Sequence, residues 1–409
     1  MRILQLARRF VEHEWGGTET VIAQTGKQLF RRGHYSEVWT SSALSKPGED
    51  IVSSLPVKRF NYLYPFFGLN QSAKEALDKK GGNMFSFSMM SSLLLNNKFD
   101  LYHLHTGKRF GAQVAKVARM RKKPYIITLH GGVYNVPEAE RNDILSPIKG
   151  KLEWGKVLGA ALGSRKLLEN ADAVVCVNPQ EAEHIKQIMP DTIVQHLPNG
   201  VNPGDFSGGE GQRFRKAHGF KKNDKIIMCI SRIDHQKNQL ALIDMLALFG
   251  KGKGRPHLVL IGPKTNPDYE VLIKIKAEKL KVSDFLHIYD PMPHGSQELT
   301  DAYASADVFV LPSVHEPFGI VLLEAFSAKC PVVATAVGGI PYFLENGVNG
   351  MLVPSGDVDA MFAATKNILN EKTIAQELGE EAYKTVEKFY TWERVTEQLL
   401  ELYQTLVKG

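Results

Sequence analysis

Short apolar runs separated by stretches of helical periodicity cover most of the chain. Ten runs read as strands: Arg2–Leu6, Ser36–Thr40, Leu101–His105, Tyr125–Leu129, Ala173–Val177, Ile226–Ile230, His257–Ile261, Leu286–Ile288, Val308–Leu311 and Pro331–Ala334. Most are continuously apolar rather than alternating, as parallel strands covered on both faces are. Strands interleaved with helices predict a parallel α/β architecture. A chain of 409 residues is long enough for two such units. The break between them falls in "HLPNGVNPGDF", His196–Phe206, where Pro, Asn-Gly and Gly cluster before a new cycle of strands. The segment "FYTWERVTEQLLELYQTLVKG" reads as an amphipathic helix with Val395, Leu399, Leu400 and Leu406 in its apolar stripe.

In open parallel sheets, ligands bind beyond the carboxyl ends of the strands. That rule picks out Gly16 and Gly17 after the first strand, His105 and His130 after the third and fourth, and Arg232, Gly262 and Glu316 in the second half. Two doubly wound units facing each other would set all of them around one cleft. The sharpest signal is "HEPFGIVLLEA", where Glu316 and Glu324 bracket an apolar run. A carboxylate in such a run is costly unless something pairs with it. Eight residues of full helix would separate the two by roughly 12 Å, against roughly 5–5.5 Å for the carboxylates of a retaining glycosidase. The pair therefore suits gripping two ends of one extended ligand, a hexose and a ribose, with backbone amides of Phe318, Gly319 and Ile320 facing an anion or a sugar oxygen. The plainer alternative is a helix-start Glu316 and a surface Glu324.

"ISRIDHQKN" places Arg232 and Lys237 in one loop after a strand, where two cations can neutralise a diphosphate. "EWGGTE" offers glycine amides to a phosphate, or a plain turn; it lacks GxGxxG spacing, which argues against a dinucleotide oxidoreductase. His103, two residues before His105, reads as structural. "DVD", Asp357–Asp359, resembles a metal-binding pair but stands before a helical run and reads as a helix cap. No carboxylate pair ends a strand beside the candidate site, so no metal ligand is assigned.

Composition adds a charge asymmetry. Residues 1–195 hold 27 Lys and Arg against 18 Asp and Glu, a net +9, and the remainder is −3. A basic half implies an anionic partner. "KVARMRKK" and the segment Lys149–Leu168 carry most of the excess; the latter mixes basic and apolar residues at roughly helical spacing. It reads either as a helix for an anionic membrane surface or as a core-facing helix with a solvated basic face. No apolar run approaches the ~20 residues that span a bilayer, and "MRILQLARRF" reads as a first strand rather than a signal peptide. Cys176, Cys229 and Cys330 stand singly in apolar contexts, as buried thiols of a reduced, cytosolic protein do.

Taken in order along nearly the whole chain, these pieces resemble the retaining glycosyltransferases of family GT4. They are "GGTE", "TLHGG", "PNGVN", "SRIDHQKN", the E-x7-E pair Glu316–Glu324, "AVGGIP", "ENGVNGMLVPSGD" and "FYTWERV". The resemblance implies the GT-B fold, with residues 1–197 as an acceptor-side domain and 198–385 as a nucleotide-sugar domain. A helix from about residue 386 would return to the first. It implies that Glu324 holds the ribose, that Glu316 contacts the donor sugar with Phe318, Gly319 and Ile320, and that Arg232 and Lys237 hold the diphosphate. Gly16 and Gly17 would abut the phosphates, His130 would touch the reacting centre and His105 would lie on the acceptor side. Family members often carry Glu after "GGIP", where this chain has Tyr342. The implied activity is metal-independent, retaining transfer of a hexose from a UDP or GDP sugar to a glycan or lipid-linked saccharide in cell-surface polysaccharide synthesis. No cofactor and no nucleic-acid partner are expected, and the location is cytoplasmic or peripheral on the inner membrane face. The rivals are a sugar-nucleotide epimerase or glycan phosphorylase on the same fold, or a sugar-nucleotide-binding subunit with a dead site.

Overall fold

The computed structural model describes residues 1–131, 146–250 and 254–408. The chain divides into two compact units, Met1–Pro198 with Trp392–Gly409, and Asn199–Thr391. The first contains β1 (Arg2–Leu6), β2 (Tyr35–Ser41), β3 (Gly48–Val52), β4 (Leu55–Phe60), β5 (Leu101–Leu104), β6 (Tyr125–Leu129), β7 (Ala173–Cys176) and β8 (Ile193–His196). Their order in the sheet is β3-β4-β2-β1-β5-β6-β7-β8, parallel except for the β3–β4 hairpin. The second contains β9 (Ile226–Ile230), β10 (His257–Ile261), β11 (Leu286–Tyr289), β12 (Val308–Leu311), β13 (Val332–Thr335) and β14 (Met351–Val353), in the order β11-β10-β9-β12-β13-β14. Each sheet reverses its strand order once, between β1 and β5 and between β9 and β12. Such switch points are where doubly wound sheets bind ligands.

All ten strands expected from the apolar runs are present. The four that were not expected, β3, β4, β8 and β14, lie at or next to sheet edges. Four of the five residues of β3 are exposed, and β8 has no fully buried residue. An edge strand needs no double apolar coverage, so its sequence carries a weaker signal.

Two expectations about helices are corrected. The segment Lys149–Leu168 is not one helix: it holds a short helix, Lys156–Leu162, and a single 3-10 turn, Ser164–Lys166. Gly155 and Gly159 lie against Arg109, and the Arg109 guanidinium pairs with Glu153, so the segment is pinned at those points. Leu167 is buried in the core of the first unit, while Leu152 and Val157 face outward, 71% and 76% exposed. The return to the first unit begins at Trp392, not about residue 386. The helix Lys372–Phe389 ends first, and Val201 pairs with Thr391 in the second unit. The helix Trp392–Lys408 then packs Leu399, Leu402 and Tyr403 onto Ile3, Leu101 and Ala173 of the first sheet.

That helix also reaches a buried polar group. The Tyr403 hydroxyl lies 2.6 Å from His103 Nδ1, and His103 Nε2 lies 2.6 Å from Thr128 Oγ1. Burial pushes His103 down to about 3, from an ordinary 6.5, and His130 to about 4. His105 is likewise lowered well below its usual range by burial. All three are therefore neutral in the folded protein near pH 7, whereas in the unfolded chain they protonate as pH falls below about 6.5. Between these values the unfolded state binds more protons, so stability is fully present above about 6.5 and is lost as pH falls toward about 4. The melting temperature should begin to fall between about pH 6.5 and 5, above the carboxylate range, and His103→Asn should flatten that slope.

Candidate active site

In the second unit the loop after β9 carries Arg232 and Lys237, and the loop after β12 carries Glu316. These are the two strands that flank the reversal of the sheet. Lys237 and Glu316 are both buried, and the Lys237 ammonium donates to Glu316 Oε2, which Ser313 Oγ also approaches at 3.4 Å. The cost of burying each charge is thus met by the other. Lys237 spends one of its three N–H donors in this way. Glu316 Oε1 takes no protein partner among the described residues.

The rest of the loop is held by groups that the apolar pattern does not single out. Asp234 accepts from the Lys237 backbone N–H at 3.1 Å and lies 3.5 Å from the Arg232 guanidinium. Gln236 accepts from Arg232 at 2.6 Å and donates to the His315 carbonyl at 3.0 Å, which ties the two loops together. Arg232 remains 45% exposed at its side chain, free to meet a ligand. Asp234 and Gln236 sit inside "RIDHQK", so their location was visible although their roles were not.

The turn after Glu316 is built on glycine. Gly319 sits at φ +98° and starts the helix Ile320–Ser327 with no side-chain cap, which leaves the first amides open. Gly338 packs so tightly that a Cβ would come within 1.9 Å of the Glu316 carbonyl oxygen, and Gly339 N–H donates to that same oxygen at 3.0 Å. The two glycines of "AVGGIP" therefore support the Glu316 backbone. Phe318 turns its ring onto Phe343 at 5.1 Å, so only its backbone is available to a ligand.

Glu324 is 5% exposed in the second turn of that helix. It accepts from the Tyr303 hydroxyl at 2.6 Å, and His294 Nε2 lies 3.4 Å from its other oxygen. Burial, reinforced by Glu324, holds the Tyr303 phenol well above its ordinary range, so it stays protonated and donates. The surface alternative for Glu324 fails on this burial. Tyr303 and His294 are distant in sequence and carried no signal of their own. Asp357 caps the helix Val358–Asn370, its carboxylate accepting from Ala360 N–H at 2.8 Å. Among the described residues no group of three or more His, Cys, Asp or Glu side chains is arranged to hold a metal.

In the first unit Gly16 caps the helix Gly17–Arg31, and Glu19 folds back onto that helix start. A Cβ on Gly16 would lie 3.1 Å from the Glu19 carboxylate, whose pKa burial raises while Arg9 and the Gly16 and Glu19 N–H groups oppose the rise. The Gly16 amide thus faces a carboxylate of its own chain, as in a capping box. His130 ends β6 half-buried. Its Nε2 lies 2.9 Å from His105 Nδ1, and His105 Nε2 lies 2.9 Å from Gln5 Oε1. His105 was expected to face the acceptor. Both of its ring nitrogens are engaged inside the protein and it is 7% exposed, so it supports His130 instead. The second glycine of "TLHGG", Gly132, lies outside the described residues.

Two doubly wound, mainly parallel sheets of this order are the architecture of the GT-B fold. The chain belongs to family GT4: residues 15–205 match the family described as Glycosyltransferase Family 4, and residues 211–385 that described as Glycosyl transferases group 1. It is similar to the D-inositol 3-phosphate glycosyltransferase of Corynebacterium glutamicum, 27% identical over 409 residues, covering 96% of this chain and 92% of the relative. Among solved structures it is similar to sucrose-phosphate synthase from Thermosynechococcus elongatus, with a TM-score of 0.72, 20% identity and 99% of each chain covered. It is also similar to HepE of Anabaena, solved with UDP and glucose, with a TM-score of 0.73, 16% identity, and 99% and 100% of the two chains covered.

The buried pair yields a test that separates stability from chemistry. Lys237→Met strands Glu316 in an apolar loop and should cost about 3–5 kcal/mol. Adding Glu316→Leu should restore most of that loss in chemical denaturation while leaving the double variant inactive. A double variant no more stable than Lys237→Met would mean that the pair does not offset its own burial.

Proposed function

We propose that this glycosyltransferase moves a hexose from a UDP or GDP sugar, with retention of configuration and without a metal ion, to a glycan or lipid-linked saccharide of the cell surface. The observation that carries the reading is the Lys237–Glu316 pair at the β9/β12 reversal. It offers an ammonium and a carboxylate oxygen at one point of the sheet. Cleavage of the donor leaves a diphosphate. Arg232 and the two remaining N–H donors of Lys237 stabilise that charge as it develops. Glu316 Oε1 accepts from hydroxyls of the transferred sugar, the open amides after Gly319 receive an oxygen, and Glu324, held by Tyr303, accepts from the ribose. His130 meets the transferred sugar, and the acceptor hydroxyl attacks from the face that the diphosphate leaves. HepE, whose structure holds UDP and glucose, supports a nucleotide-sugar donor for this fold.

The test is donor turnover. Hydrolysis or transfer of UDP- or GDP-hexose should persist in excess EDTA. Arg232→Ala should lower kcat by roughly 10²–10³, as loss of one preorganised donor to a developing charge does. Activity that EDTA abolishes and Mn²⁺ restores would overturn the cation assignment.

A peripheral membrane location is favoured by one surface of the first unit. Phe67, Leu152 and Val157 are 59%, 71% and 76% exposed, and Trp154 38%, among the exposed Lys149, Lys151 and Lys156. Phe67 N–H donates to the Leu152 carbonyl at 3.0 Å, which joins the two segments into one face. Apolar side chains ringed by lysines match an anionic bilayer, which takes the former among its acyl chains and the latter at its headgroups. Among the described residues no helix is long and apolar enough to cross a membrane. Binding to anionic vesicles should weaken with salt and fall further when the three lysines are changed to alanine. Absence of binding at low salt would leave these residues an ordinary solvated face.

A further inference from the structure

The first unit carries an unbroken chain of hydrogen bonds that ends on His130. Gln5, the fourth residue of β1, is fully buried among the apolar Ile3, Leu4 and Leu6. Its Nε2 donates to Ser36 Oγ of β2 at 2.9 Å, which turns Oε1 toward His105 Nε2 at 2.9 Å. An amide oxygen only accepts, so His105 carries its proton on Nε2. His105 is neutral, so its Nδ1 is a lone pair, and it faces His130 Nε2 at 2.9 Å. His130 must then carry its proton on Nε2, which leaves Nδ1 as a lone pair with no protein partner among the described residues. The His103 ring, 4.0 Å from that of His105 and fixed by Tyr403 and Thr128, closes the other side of the stack.

We infer that Gln5 and His105 are positioning residues that fix His130 as a neutral, Nε2-protonated imidazole, whose Nδ1 accepts a hydrogen bond from a substrate hydroxyl. This deepens the proposed function and rests on its reading that His130 meets the transferred sugar. A histidine wired in this way cannot donate to the diphosphate or to the ring oxygen. It also adds no positive charge beside a sugar carbon that becomes cationic as the donor cleaves. Which ring nitrogen is free is set here by a glutamine, the last residue but one of the first strand, as the partner of one ring nitrogen generally sets the role of the other.

Long-range proton–nitrogen correlation spectra of histidine-labelled protein read the tautomer directly, with the His130 signals assigned by their loss in His130→Asn. The expected spectrum at neutral pH shows His130 protonated at Nε2 alone. Gln5→Met removes the acceptor at similar volume and should give a mixture of tautomers, with kcat lowered roughly 10- to 100-fold, by analogy with the loss of a partner that orients a metal-bound histidine. Ser36→Ala, which releases the Gln5 amide with little change in packing, should shift both readings in the same direction and serves if Gln5→Met does not fold. A wild-type His130 protonated at Nδ1, or a tautomer unchanged in both variants, overturns the inference. Mixed tautomers with an undiminished kcat also overturn it, if His130→Asn impairs transfer. If His130→Asn transfers normally, the failure belongs to the placement of His130 at the sugar, and the wiring still stands or falls on the spectra.

Discussion

The pairing of Lys237 with Glu316 is the interaction around which the second unit is arranged. It joins the loops that leave β9 and β12, and it allows two charges to lie in an apolar neighbourhood. An apolar pair of similar size would hold the loops as well or better. What it could not do is present an N–H and a carboxylate oxygen to an incoming ligand. The surrounding groups follow from that pair: Ser313 beside the carboxylate, Gln236 bridging the loops, and Gly338 pressed against the Glu316 carbonyl so that no side chain displaces it.

The two switch points solve the same problem in opposite ways. In the second unit buried charges meet partners: Lys237 and Glu316 each other, and Glu324 the Tyr303 hydroxyl with the His294 ring beside it. In the first, beside the buried Glu19 that meets Arg9, the hydrogen-bonded chain under His130 is neutral: an amide, three hydroxyls and three imidazoles that burial holds uncharged. A neutral chain needs no counter-ion, but every member must find a partner. That accounts for the way Tyr403 arrives from a helix nearly three hundred positions away to complete His103.

Much of this was legible in the sequence, for identifiable reasons. Central strands such as "IIMCI" and "VFVL" are covered on both faces, so their composition alone marks them. Edge strands such as "GEDIV" lack that coverage and were missed. Glu316 and Glu324 stood out because a charge in an apolar run needs a cause. Tyr303 did not, because a tyrosine in a helix has many uses and its partner lies 21 positions away. Gln5 broke an apolar strand by the same logic as the glutamates, although an uncharged amide makes a quieter contrast. His105 was located correctly but assigned the wrong neighbour, since spacing shows which loop a residue occupies and not which way its ring turns. The basic segment at Lys149 misled because its apolar residues recur at helical intervals, whereas Gly150, Gly155 and Gly163 break the helix that periodicity suggests.

The path of the chain through Thr391 bears on how the protein is made. The helix Trp392–Lys408 belongs to the first unit, yet every residue of the second is translated before it. Until it emerges, Ile3, Leu101 and Ala173 lack the apolar cover of Leu399 and Leu402, and His103 lacks the Tyr403 hydroxyl. On the ribosome the half that is synthesised first is therefore the half that is finished last. An incomplete first sheet must wait, partly uncovered, while about two hundred further residues fold behind it at roughly 5–20 residues per second, an interval in which it is open to chaperones and to aggregation.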